Sequence, residues 1–81
     1  MISCSDYDYI ELVCLYNMTV ELHYQDYSVI GVARDTKRNS NALEGIELVI
    51  ANEVKWYPLD SLLAMTAITQ NTFFQHLEFS H

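Results

Sequence analysis

Asp6, Asp8 and Glu11 place three carboxylates within six residues near the front of the chain, a spacing at which paired acids could move protons. Acids in a first helical turn are ordinarily explained by the positive end of the helix dipole. No base or orienting group stands beside these three in sequence, so they do not make a catalytic set. Cys14 could serve as a nucleophile, but it falls on the helix side expected to be buried, and no histidine is near it in sequence. His23, His76 and His81 are scattered, without zinc-type spacing to Cys4 and Cys14. The two cysteines are expected to be reduced thiols, at least one of them buried. Gly31 and Gly45 are the only glycines, and neither sits in a phosphate-cradling loop. Catalysis, a metal site and a cofactor are therefore not expected. The acids then serve the helix dipole and solubility, or a contact with a basic partner, and composition alone does not choose between these.

The bulk properties agree. With 81 residues, 51% hydrophobic and 19% charged, the chain is expected to be a single folded domain over residues 1–81, of modest stability. No apolar run approaches the ~18 residues that span a bilayer. The first residues lack a basic region followed by an apolar one, so a cytoplasmic protein is expected. Eleven acidic residues against four basic ones give a net charge of −7. Phosphate backbones repel such a surface, whereas a basic protein partner is steered toward it. Six tyrosines, three phenylalanines and one tryptophan could stack on bases, but the cations beside them reduce to Arg34, Lys37 and Arg38. Direct nucleic-acid binding is not expected on this composition.

The elements that must position these groups follow from periodicity. A helix is predicted over residues 6–16, capped by Ser5 with Asp8 three positions on. Ile10, Val13 and Cys14 share one side of it; Asp8, Glu11 and Leu15 lie nearly opposite, with Leu12 beside the acids. The period then becomes two. Strands are predicted over residues 18–24 and 28–35, joined by Gln25-Asp26-Tyr27, with Gly31 marking a bend or a close backbone approach. Residues 36–45 read as a polar, irregular loop, and 46–51 as a buried strand closed by a turn at Asn52-Glu53. Val54, Trp56 and Leu59 continue as a fourth strand, with Pro58 at its end or on an exposed edge. Trp56 is expected to be at least partly buried, its indole N–H needing a partner. Asp60-Ser61 could start one helical turn, and residues 63–69 and 73–79 supply the last two strands. The fold class is mainly β with one N-terminal helix, a small and strongly bent antiparallel sheet or barrel.

Residues 4–14, CSDYDYIELVC, resemble the opening of the Rho-binding antiterminator family, C-x-D-Y-D-x-[IL]-E-L-x-C, and match it at every specified position. More loosely, residues 18–22 look like the family's first strand, 46–50 its central apolar strand, and Leu59-Asp60 its L-D turn. The resemblance implies an Sm-like fold and a binding protein, monomeric when free. Its implied partner is the hexameric transcription terminator Rho, bound at or near the primary RNA-binding site. RNA engagement would be blocked there and antitermination would follow. By position, Asp6, Asp8 and Glu11 fall in the family's interacting segment, with Leu12 and Leu15 as its apolar fringe. Lys37-Arg38-Asn39 looks like a second contact, in a loop slightly longer than the family's. No role is carried over to residues 73–81. The alternative is an Sm-like RNA-binding protein acting on transcripts directly.

Overall fold

The computed structural model describes residues 2–79. One helix, α1 (Cys4–Leu15), precedes six strands: β1 (Thr19–His23), β2 (Ser28–Arg38), β3 (Glu44–Ile50), β4 (Glu53–Pro58), β5 (Ala64–Ala67) and β6 (His76–Glu78). The strands form one antiparallel sheet in the order β4-β3-β2-β1-β5-β6. The expected class is found, as a bent sheet with two edges, β4 and β6, and not as a closed barrel.

The helix starts two residues earlier than its sequence signature suggested. Ser3, not Ser5, is the N-cap, and its hydroxyl accepts a bond from the Asp6 amide at 3.2 Å. Ser3-x-x-Asp6 and Ser5-x-x-Asp8 carry the same capping pattern one half-turn apart, and burial decides between them. Ile2, just before the cap, is buried, and Tyr7 packs against the same core in the manner of a hydrophobic staple. The other end closes with Asn17 at φ 47°, its amide bonding Cys14 O while the Met18 amide bonds Val13 O. That is a Schellman close with asparagine in the left-handed position. The Asn17 side chain also donates to Ala33 O at 3.0 Å, tying the helix end to β2.

Ile10 and Val13 are fully buried, as their spacing required, and they cover a concave face built from Val20, Leu22, Ala33, Ile46, Leu48 and Met65. Cys14, expected beside them, is half-buried. β2 bends twice. At Gly31 an added Cβ would stand 2.7 Å from Ile50 Cγ1, so the glycine permits the close approach its mid-strand position suggested. Between Ala33 and Asp35 the register shifts, which leaves Arg34 as a bulge and sets Thr36 opposite the buried Ile46.

The segment 36–45 is not the irregular loop it looked like: Thr36, Lys37 and Arg38 extend β2, and Glu44 and Gly45 begin β3. Polar composition misleads there because Lys37 and Arg38 face solvent although they stand on a strand. The β3–β4 turn is Ala51-Asn52, with φ 51° and 68°, one residue before the expected Asn52-Glu53. Two positive φ values in a two-residue loop suit the twist of a hairpin. Leu59 lies just past β4, and Asp60-Ser61 belongs to a turn closed by the Leu62 amide on Leu59 O, not to a helix. The last two strands are shorter than the apolar runs that announced them. Tyr24, buried at the end of β1, donates its hydroxyl to Pro58 O at 2.6 Å, so the curled sheet brings the end of β4 back to β1.

Trp56 is half-buried and its indole N–H donates to Lys37 O at 2.8 Å, the partner it needed. Its ring lies over Gly45, where an added Cβ would fall inside the indole. Gly45→Ala is expected to displace the ring and cost about 1–3 kcal/mol through overpacking. A thermal melt reads this directly; an unchanged Tm would mean the indole does not rest on Gly45.

Candidate acidic docking face

The outer side of α1 is the most distinctive surface of the molecule. Asp8 and Glu11 are both exposed and three residues apart, so they project side by side. Neither makes an ion pair or a hydrogen bond among the described residues, whereas Arg34, Arg38 and Lys55 are each paired with a glutamate. The helix acids therefore carry charge that the fold leaves uncompensated. Apolar groups frame them. Leu15 is 74% exposed, and Leu12 is half-buried against the core.

A groove runs between this side of α1 and β2, with Asp8, Glu11, Leu12 and Leu15 on one wall and Arg34, Asp35 and Thr36 on the other. The bulge at Arg34 brings Asp35 here. Nothing in the sequence signals that bulge, so Asp35 was read as the end of a strand and its place beside the helix acids was missed. Tyr16 and Phe73 were missed too. They stack at 5.5 Å with 27° between their rings, and both are well exposed at the helix end. Phe74, next in the chain, is buried and meets Tyr9 edge-on at 5.7 Å. The C-terminal segment thus braces α1 from the side opposite β2.

The other sequence-predicted contacts divide. Asp6 lies about 200° around the wheel from Asp8 and lines no groove with it. Arg38 is held by Glu44 at 3.2 Å and by Ala42 O at 3.3 Å. The Asn39 side-chain oxygen accepts from the amides of Asn41 and Leu43, organising the turn that joins β2 to β3. Lys37 is exposed and, among the described residues, its ammonium has no carboxylate partner.

The groove does not activate a nucleophile. Burial, reinforced by Asp35 and Glu11, pushes the Cys14 thiol up from 9.0 to about 12, so it stays protonated at neutral pH. A thiol that must ionise more reluctantly when folded leaves stability intact below about pH 9, with a loss that grows toward about 12. Cys4 is exposed. Alkylation of the native protein at about pH 8 should therefore label Cys4 and spare Cys14 until the chain is unfolded, as read by mass spectrometry. Equal labelling of the two would contradict this placement. Among the described residues, no group of three or more histidine, cysteine or acidic side chains is arranged to hold a metal ion. His81 lies outside them.

Comparison with known proteins adds to this geometry. Residues 1–79 match the family described as modulator of Rho-dependent transcription termination (ROF). Among solved structures, the chain is similar to one described as YaeO bound to magnesium from Vibrio cholerae O395. The two are 37% identical with a TM-score of 0.85, over 91% of this chain and 97% of that one. No curated protein matches.

Proposed function

The chain belongs to the family of modulators of Rho-dependent transcription termination, and we propose that it acts by laying the acidic side of α1 on the RNA-binding surface of Rho. The family is regulatory and works without being an enzyme. The observation that carries the reading is the pair Asp8 and Glu11, exposed, without ion-pair partners, and framed by Leu12 and Leu15. A surface that engages RNA presents cations to phosphates, and carboxylates fixed on a helix meet those cations with little order left to gain. The apolar fringe excludes water from the charged contacts and strengthens them. Asp35 adds a third carboxylate to the same groove. Lys37, on the stretch of β2 just beyond the groove, is the member of the Lys37-Arg38-Asn39 set with a charge free for a second contact. Arg38 and Asn39 hold the turn in place for it. RNA and this protein then exclude each other on Rho, termination is inhibited, and the protein works as a monomer in the cytoplasm.

Co-purification with Rho tests this reading. Complex formation is expected without RNA, with loss as single-stranded RNA is added and as salt rises. Direct action on transcripts is the competing reading, and the pairing of three of the four cations speaks against it. A titration with single-stranded RNA at low salt is expected to show no saturable binding. Saturable, salt-sensitive binding would favour the competing reading.

A further inference from the structure

On the outer face of the sheet, two histidines meet through one hydroxyl. His23 on β1 places Nε2 2.9 Å from Thr66 Oγ1 on β5, and the same Oγ1 lies 2.8 Å from His76 Nδ1 on β6. The ring centroids are 5.8 Å apart. Each ring also has a carboxylate at 3.9 Å, Glu21 beside His23 and Glu78 beside His76. Ser28 on β2 donates to the other oxygen of Glu21 at 3.0 Å, which holds that acid in place. The β5 neighbours Ala64 and Thr66 do not titrate, so among the described residues Glu21 and Glu78 are the charges that face the pair.

We propose that His23, Thr66 and His76 form a proton-counting latch that fastens β6 to the sheet, tight with one proton on the pair and loosened by two. With both rings neutral, the row is satisfied when one ring turns its N–H to Thr66 and the other its lone pair, so that Thr66 accepts from the first and donates to the second. One added proton makes one of these bonds charge-assisted. The second proton removes the remaining lone pair. Thr66 must then accept from both rings, its own hydrogen loses its acceptor in the row, and two like charges face each other across one hydroxyl. β6 is sensitive to this because it is short. His76–Glu78 is three residues long, paired to β5 alone, and His76–Thr66 is the side-chain hydrogen bond that joins it to the sheet. Loosening β6 would expose the β5 edge that it covers. The inference stands apart from the reading of the acidic face, which uses none of these residues.

The test is a histidine titration by NMR in the full chain carrying His81→Gln, which removes the third imidazole signal. The two rings are expected to titrate as a coupled pair, in two steps, and not independently of each other. Protection of the Met65 and Leu77 amides against hydrogen exchange should fall at least several-fold through the lower step, relative to a strand pair away from β6 such as β2–β3. The variant His76→Gln keeps a polar partner for Thr66 without a second charge. It should keep β6 paired and lose the pH dependence of that protection. Independent titration of the two rings, or the same pH dependence in His76→Gln as in the parent, would overturn the latch. If His76→Gln unpairs β6 outright, the same comparison made with His23→Gln decides, by the same two outcomes.

Discussion

Glu11→Lys should fold like the parent and lose Rho. Position 11 is exposed and makes no hydrogen bond or ion pair among the described residues, so reversal removes no contact on which the domain depends. Lysine is as good a helix former as glutamate. It also replaces an unfavourable acid pair with Asp8 by a favourable one, and it suits the negative end of the helix dipole. The melting temperature should therefore hold or rise slightly. Binding is a different matter. If Glu11 meets arginine or lysine in a desolvated contact, losing that contact costs about 2–5 kcal/mol, and reversal adds repulsion. At a wet rim the loss would be below about 1 kcal/mol. The frame of Leu12 and Leu15 favours the desolvated case. Isothermal titration against Rho and a termination assay read the two sides separately. Should Glu11→Lys bind and inhibit as the parent does, α1 is not the contact, and Lys37 on the far stretch of β2 becomes the next place to look.

Ile10→Ala is expected to have the largest effect on stability. Ile10 is fully buried, and with Val13 it is how α1 grips the sheet. Removing three carbons from a packed site costs about 2–5 kcal/mol, depending on how far the cavity collapses. In a domain of this size each kcal/mol moves Tm by about 4–8 °C, so the melt should fall by about 8 °C or more. Leu15→Ala is the matched control. Its side chain is 74% exposed, and its loss should change stability by less than about 0.5 kcal/mol. It should nonetheless weaken Rho binding, because its apolar surface then has no part in the interface. If Leu15→Ala destabilises as much as Ile10→Ala does, the helix is rotated from the orientation described.

These two leucine and isoleucine positions show what the sequence made legible. A 3.6-residue period separates Ile10 and Val13 from Asp8, Glu11 and Leu15 without any tertiary information, because the division follows from helix geometry alone. The alternation of Met18, Val20, Leu22 and Tyr24 likewise placed β1, since each of these side chains is buried. Where two local signals were equal, the sequence could not choose. Ser3 and Ser5 cap equally well in isolation, and the burial of Ile2 settles the matter. Other features were invisible because they are tertiary. The bulge at Arg34 depends on pairing with β3 and moves Asp35 into the groove. Gly45 is required by an indole eleven residues away, a constraint no local pattern carries. The stretch at Thr36 to Arg38 was misread because polarity signals exposure, and an exposed strand end and a loop look alike by composition.

Competition at one surface is read by fluorescence anisotropy of labelled single-stranded RNA held on Rho's primary site. Adding this protein should release the RNA in proportion to the complex formed, with a midpoint that rises with salt. Glu11→Lys should release none over the same range. A stable ternary complex, with RNA still on the primary site and this protein bound to Rho, would rule out competition at that surface.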